Sequence, residues 1–373
     1  MNPADLVAPA SPLGFPAPYW FLVLLKVAGF TLHMGPMHLW TAGLLVALLL
    51  TRRPDAHARL LGERLIAQLP VVIALGINFG IVPLLFLQVA YYRVFYPATV
   101  LAAWSWFAVI PLLVLAYYGV YLCAGDLRQA RSGGLRRLVG WVAAAAFLAI
   151  GLAFVNGMTL MTRLEAWPDL WRATSRAGAP LGTALNLSDP RLLPRGLMML
   201  ALALVTTAAY AVVDAGLFAR GLPAAYRRWV AGFALRLATI GVVGFAIFGS
   251  WYAFATWSAE ARGVMLGRLA PLTAATAAAP ALPWLLIARQ RRGPTPGAAL
   301  ATGLAQLGVL ALNATSRQVV QNLELARFLD VAAEPVRTQW SPLVVFLLLL
   351  AGGMGVILWM VGRARSILRP VPH

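Results

Sequence analysis

Apolar residues fill most of the chain in runs of about 20 residues or more, separated by short polar segments rich in arginine. Runs of that length are long enough to cross a bilayer as α-helices. The pattern therefore predicts an all-α fold, a polytopic transmembrane helix bundle. We predict nine spans, at about 19–50, 68–95, 99–124, 138–162, 194–219, 229–257, 266–288, 297–326 and 340–362.

The apolar content is continuous from the first predicted span to the last, with no linker between them. We therefore expect one membrane domain over residues 1–373. The long polar connection at about 163–193 contains two tryptophans, Trp167 and Trp171. Tryptophan is enriched at membrane–water interfaces, so we expect this connection to lie there as a lid over the bundle.

Composition supports the membrane class. The chain is 61% hydrophobic and 11% charged, with a mean hydropathy of +0.78, whereas a soluble domain carries about 25% charged residues. A soluble globular protein is therefore excluded. The chain has one cysteine, Cys123, which excludes an internal disulfide and a Cys-x-x-Cys-His attachment site for haem c.

The formal net charge of +18 reflects an excess of arginine in the polar segments. Seventeen arginines follow odd-numbered predicted spans and nine follow even-numbered ones. The positive-inside rule then places the N-terminus outside and the C-terminus in the cytoplasm. We expect the membrane to be a bacterial inner membrane. Anionic lipid headgroups account for the charge, so we expect the lipid bilayer as a partner and no nucleic acid.

Two histidines, His33 and His38, lie inside the first predicted span. Burying an unpaired imidazole in hydrocarbon is costly, and neutral imidazole is a common ligand of haem iron. Five residues of α-helix separate the two side chains by about 140°, so they are not expected to hold one iron together. The residues alone leave several functions open: hydrogen bonding to neighbouring helices, haem ligation, a proton relay or another metal.

Several short motifs resemble cytochrome bd oxidase subunit I, a family of nine-span proteins. In that family the first helix carries a haem-ligating histidine in the pattern G-F-H-x-x-x-P-x-T-x-G. The first span here is similar, with a slip of one or two residues, through Gly29, Phe30, His33, Pro36, Thr41 and Gly43. Further resemblances lie at residues 76–80, 155–158, 205–210 and 315–318.

The resemblance implies a haem-bearing four-helix part at 19–162 and five further spans at 194–362. It implies haem b as the cofactor, with His33 as the candidate ligand of the iron. The other candidate cofactor-binding residues are His38, Asn156, Met158, Arg236, Arg317 and Gln318. The partners it implies are other membrane subunits and a c-type cytochrome, with a quinone as a further possible ligand.

The chain also departs from the family. The third predicted span has no acid where the oxidases carry two glutamates, and the fifth has no histidine for their low-spin haem. Around Arg268 the expected methionine of the seventh span is missing, and the quinol-binding loop after the sixth is short. Oxygen reduction is therefore not expected. We predict a haem-binding electron-transfer subunit of a respiratory oxidoreductase complex; the alternatives are a haem-free membrane anchor or a transporter.

Three cations are predicted to lie within spans. Arg236 and Arg317 are costly in hydrocarbon unless an anion is near, so we expect each to pair with a haem propionate or with Asp214 or Glu324. Lys26 lies close to the outer end of the first span, and we expect it to extend outward to water.

Overall fold

The computed structural model describes residues 3–128 and 134–367. Within them, eight helices are long and apolar enough to cross a membrane by length and composition. The predicted fold class is confirmed, because the chain is an all-α, multi-pass bundle with almost no sheet. The eight spans are Tyr19–Leu50, Ala56–Ala90, Ala103–Gly125, Leu138–Leu160, Leu192–Phe218, Ala224–Thr256, Ala270–Arg289 and Pro296–Leu325.

The ninth predicted span is also helical, over Trp340–Ile367. Its described apolar stretch, Trp340–Val356, is shorter than the eight spans above. Phe346 packs edge-on against Phe86 of the second span, with ring centroids 5.7 Å apart. The described side chains of this helix are otherwise mostly exposed, so it lies at the periphery of the bundle.

Two predicted boundaries are wrong. The second span begins at Ala56 instead of residue 68, because Asp55 caps the helix by accepting the N–H of Ala58 at 3.0 Å. The polar residues after Ala56 resemble a loop in a hydropathy pattern. Before the third span, the chain forms a separate short helix, Tyr92–Leu101.

The seventh span is also divided, into helices Ala270–Ala278 and Ala281–Arg289, with Pro280 between them. Proline lacks an N–H and interrupts the hydrogen-bond pattern at this point. The remaining short helices are Pro3–Leu6, Leu164–Ala166, Trp167–Thr174, Ala259–Leu266 and Val331–Ala333.

Glycines allow the first and second spans to approach closely. A Cβ at Gly76 would lie 2.2 Å from the Trp40 ring and 2.7 Å from Pro36. The first span stays helical through Pro36 and then widens into a π-helical turn, Leu39–Gly43. The first span therefore loosens about one turn after Pro36.

A hydrogen-bonded network joins the second and fifth spans at the end of the bundle where the odd-numbered spans finish, which we call the basic face. Arg64 donates to both carboxylate oxygens of Asp214 at 2.8 and 2.7 Å, and Gln68 donates to the same carboxylate at 2.7 Å. The hydroxyl of Tyr210 donates to Gln68. Asp214 opens a second π-helical turn, Asp214–Phe218, so the network fixes an irregular helix end.

The polar connection after the fourth span lies at the other end of the bundle, which we call the opposite face. It contains the helix Trp167–Thr174 and a two-residue hairpin pairing Ser175–Arg176 with Ala179–Pro180. The indole N–H of Trp167 donates to the carbonyl of Leu160 at 2.9 Å, which holds the connection against the end of the fourth span.

The N-terminal segment also lies at the opposite face, bound to the segment before the last helix. The N–H of Phe15 donates to the carbonyl of Pro335 at 2.8 Å, and the N–H of Arg337 donates back to Phe15 at 2.9 Å. Gly14 has φ +63°, and a Cβ there would lie 2.3 Å from the same carbonyl of Pro335. Residues 14–16 and 335–339 thus form a strap across this face.

Candidate functional site

His33 faces the second span. Its Nδ1 lies 2.8 Å from the carbonyl oxygen of Gly76. Because a carbonyl only accepts, neutral His33 carries its proton on Nδ1, and Nε2 holds the free lone pair. A Cβ at Gly80 would lie 2.8 Å from the ring, so the glycine allows the imidazole to lie against the helix. A ring N–H held by a backbone carbonyl is the usual second contact of a metal-binding histidine.

His38 faces the fifth span instead. Its Nδ1 lies 2.8 Å from Oγ1 of Thr206, and the side chain is 1% exposed. Its Nε2 has no hydrogen-bond partner among the described residues. The two histidines therefore contact different helices, in agreement with the angle predicted from their spacing.

Arg317 and His33 are both neighbours of Phe30. Its guanidinium is 4.6 Å from the centre of the Phe30 ring, and the Phe30 and His33 rings are 6.4 Å apart. Arg317 makes no hydrogen bond or ion pair with any residue that the structure describes.

The acids proposed as partners of Arg317 are bound elsewhere. Asp214 pairs with Arg64 at the basic face, and Glu324 lies 3.7 Å from both Arg191 and Arg327. The expected pairing of Arg317 with either acid is therefore wrong.

A cavity of about 20 Å³ lies beside Arg317, toward the opposite face. Two further arginines line it, Arg191 and Arg195, and so do Met158 and Glu324. A cavity of this size holds about one water molecule. The site is therefore positively charged and nearly closed.

Gln318, the next residue of the eighth span, belongs to a polar network with the first and second spans. It donates to the hydroxyl of Tyr91 at 2.5 Å and accepts from Nζ of Lys26 at 2.7 Å. Lys26 also donates to Gln321 at 3.0 Å and lies 4.2 Å above the Tyr91 ring. Lys26 therefore turns into the bundle, and the expectation that it extends outward is wrong.

Asn156 positions the connection between the fourth and fifth spans. Its Oδ1 accepts the N–H of Asn186 at 2.7 Å, and Asn186 in turn donates to Asp189 at 3.0 Å. The carboxylate of Asp189 accepts from Arg191 at 2.8 Å. Burial alone would raise the pKa of Asp189, but the hydrogen bonds and charge of Arg191 hold it below the usual 3.8. Of the residues predicted from this region, Met158 lines the cavity and Asn156 anchors the loop beside it.

Arg236 is not brought to this site. It lies on the exposed side of the sixth span, and in the described part of the chain it has no hydrogen bond or ion pair. The described residues also contain no group of three or more His, Cys, Asp or Glu side chains that could hold a metal ion.

Six residues that line the cavity were not predicted from the sequence to belong to the site: Thr162, Arg191, Arg195, Tyr252, Val320 and Gln321. Arg195 lies in the first turn of the fifth span, which begins at Leu192. One signal was present, since Gln321 follows Arg317 by four residues and so shares its helix side.

No protein-family model matches the chain, and no curated protein matches it in sequence. Among solved structures, the chain is similar to bd oxidase from Geobacillus thermodenitrificans, with a TM-score of 0.55 and 14% sequence identity. The aligned region covers 92% of this chain and 98% of that chain. At this identity the similarity establishes the fold. The chain is therefore a multi-pass membrane protein whose helices are arranged as in a bd oxidase.

Proposed function

We propose that this chain is a haem-binding electron-transfer subunit of a respiratory oxidoreductase in a bacterial inner membrane. The observation that carries the proposal is His33, whose Nδ1–H is held by the Gly76 carbonyl so that Nε2 is free to bind iron. Haem b supplies one-electron chemistry when bound, as iron alternates between its ferric and ferrous states.

The charges around the site support the proposal. Arg317 and Arg195 have no anionic partner among the described residues, and Lys26 is held only by amide oxygens and an aromatic ring. A guanidinium stays ionised at biological pH, so burying it favours binding of an anion. Haem carries two carboxylates, and arginine binds a carboxylate with two parallel hydrogen bonds.

The donor set fits haem, but the space beside it is small. The cavity near Arg317 is about 20 Å³, whereas pockets for cofactors and drug-sized ligands span about 300–1,000 Å³. Binding of haem therefore requires the lining side chains to repack. The same observation favours the second function, a haem-free membrane anchor with this fold.

Haem content separates the two functions. The full chain, expressed with haem available and purified in detergent, should give a b-type spectrum in the pyridine haemochrome assay. His33→Ala should abolish or convert that spectrum, whereas the control His38→Ala should keep most of it. A chain that folds but carries no haem in this assay is the anchor.

Arg317 gives a second test of the same site. Arg317→Lys keeps the charge but loses the two-pronged geometry, so it should weaken haem retention or shift the midpoint potential. Arg317→Leu should insert and fold at least as well as the unchanged chain, because it removes a buried charge and its desolvation cost. If both variants keep haem content and potential unchanged, Arg317 does not contact the cofactor.

A further inference from the structure

A second set of buried polar side chains runs from the basic face into the middle of the bundle. It begins at Gln290, which follows the helix Ala281–Arg289, and continues through Thr302 and Gln306 of the eighth span. It ends at Thr206 and His38. These five residues, which we call the polar column, are each at most 6% exposed, and none lines the cavity beside Arg317.

Hydrogen bonds join the polar column into two parts, one at the basic face and one in the middle of the bundle. At the basic face, Nε2 of Gln290 donates to Oγ1 of Thr302 at 2.9 Å. In the middle, Nε2 of Gln306 donates to Oγ1 of Thr206 at 2.8 Å, and Nδ1 of His38 lies 2.8 Å from that oxygen. Thr302 and Gln306 are four residues apart on one helix side, about 6 Å along the axis, a gap that one water can bridge.

Three atoms of the polar column have no hydrogen-bond partner among the described residues: Oε1 of Gln290, Oε1 of Gln306 and Nε2 of His38. A buried polar atom costs free energy unless it is hydrogen-bonded, and almost all such atoms in proteins have a partner. When Thr206 keeps its bond to the carbonyl of Leu202 at 3.2 Å, His38 donates through Nδ1 and its Nε2 is an acceptor. All three unpartnered atoms are then acceptors, which suits water as the donor.

The chemistry of the column selects its ligand. Its amides and hydroxyls are neutral, so they offer no charge to bind an ion. His38 is its one ionisable side chain, since amides and hydroxyls neither gain nor lose a proton in the biological pH range. The group that acts on it electrostatically is His33, on the same helix, while Thr206 and Gln306 on the facing spans do not titrate in this range.

We propose that the polar column is a hydrated path by which protons reach His38 from the basic face. Hydronium delivered along the column transfers a proton to Nε2 of His38, which leaves water and an imidazolium, and the reverse step returns the proton to water. This assignment does not rest on haem binding. It gives His38 a role other than cofactor ligation, and its predicted cofactor role is tested by the haem content of His38→Ala.

Exchange at the imidazole measures this path directly. The full chain, labelled with ¹⁵N-histidine and placed in lipid nanodiscs, should show transfer of water protons to the ring of His38, assigned by its loss in His38→Gln. Gln306→Leu should slow that transfer by about tenfold or more, because a leucine cannot hold water at the centre of the column. Val309→Leu, three residues away and buried in an apolar cluster, is the matched control.

Two results would overturn the proposal: no water transfer to His38 in the unchanged chain, or equal rates in Gln306→Leu and Val309→Leu.

The side from which water enters the polar column is tested with Thr302→Cys in a Cys123→Ala background. A charged, membrane-impermeant thiol reagent should modify it from the basic face, and modification only from the opposite face contradicts the direction proposed. Haem content in Gln306→Leu should be unchanged, so failure of this proposal is distinct from failure of haem binding.

Discussion

The two side chains of the Arg64–Asp214 ion pair are buried to different extents, so removing one or the other should destabilise the protein by different amounts. Asp214 has 1% of its side chain exposed, whereas Arg64 has 24%. Removing the arginine leaves a buried carboxylate with Gln68 as its one remaining side-chain donor among the described residues, and breaking a buried pair in this way costs about 3–5 kcal/mol. Removing the charge of the aspartate leaves a guanidinium that can turn toward water, which costs about 1–3 kcal/mol.

Arg64→Met should therefore destabilise the protein more than Asp214→Asn. With an unfolding entropy of about 2.1 cal/mol/K per residue over 373 residues, 3–5 kcal/mol corresponds to a fall in Tm of about 4–6 °C. The double variant Arg64→Met/Asp214→Leu should recover most of the loss, because no buried charge remains. Thermal unfolding in detergent, followed by tryptophan fluorescence, measures all three.

Arg59→Met is the matched control. Arg59 lies on the same helix but is exposed, and it donates only to backbone carbonyls, at 3.1 Å for Pro54. Its loss should change Tm little. A larger loss of stability in Asp214→Asn than in Arg64→Met would contradict this prediction, and so would a double variant less stable than both single ones.

Three further predictions follow from contacts described above. The pKa of Asp189 is lowered in the folded state, so its carboxylate stabilises the fold above pH 3.8, and this stability is lost as pH falls through the lowered pKa. Asp189→Asn should therefore flatten the acid side of a plot of Tm against pH. An unchanged acid side would mean that the ion pair with Arg191 is unimportant. Gly76→Ala should lower Tm and the yield of folded protein, because its Cβ would overlap the Trp40 ring; an unchanged Tm would contradict the close packing. Arg236→Leu should leave haem content unchanged and keep or raise Tm in nanodiscs, and a loss of haem would place Arg236 at the cofactor after all.

The spans could be predicted because hydropathy over about 20 residues is a strong signal. The start of the second span could not be predicted, because Asp55 and the polar turn after it are as compatible with a loop as with a capped helix end. The relation of His33 to His38 followed from helical geometry alone. The partners of the two histidines required the structure, because the sequence does not state which helix lies beside each face.

Charge partners were the least predictable feature. Arg317 was expected to pair with Asp214 or Glu324. In the folded chain, Asp214 pairs with Arg64 and Glu324 lies beside Arg191 instead. Lys26 was expected in water because a long side chain near a helix end can reach it. In the structure, Lys26 instead donates to the side-chain amide oxygens of Gln318 and Gln321 in the eighth span. Such partners lie from 133 to 295 residues apart in the sequence and leave no local pattern.

The strap between residues 14–16 and 335–339 has a consequence for biosynthesis. The first strand of this pairing leaves the ribosome early, while its partner follows about 320 residues later, after the eight spans. At about 5–20 residues per second, the delay is roughly 15–65 s. During that time the N–H and carbonyl of Phe15 must be satisfied by water or by other proteins. The strap can therefore close only after all eight spans have been synthesised, and its second half leaves the ribosome just before the last helix, Trp340–Ile367.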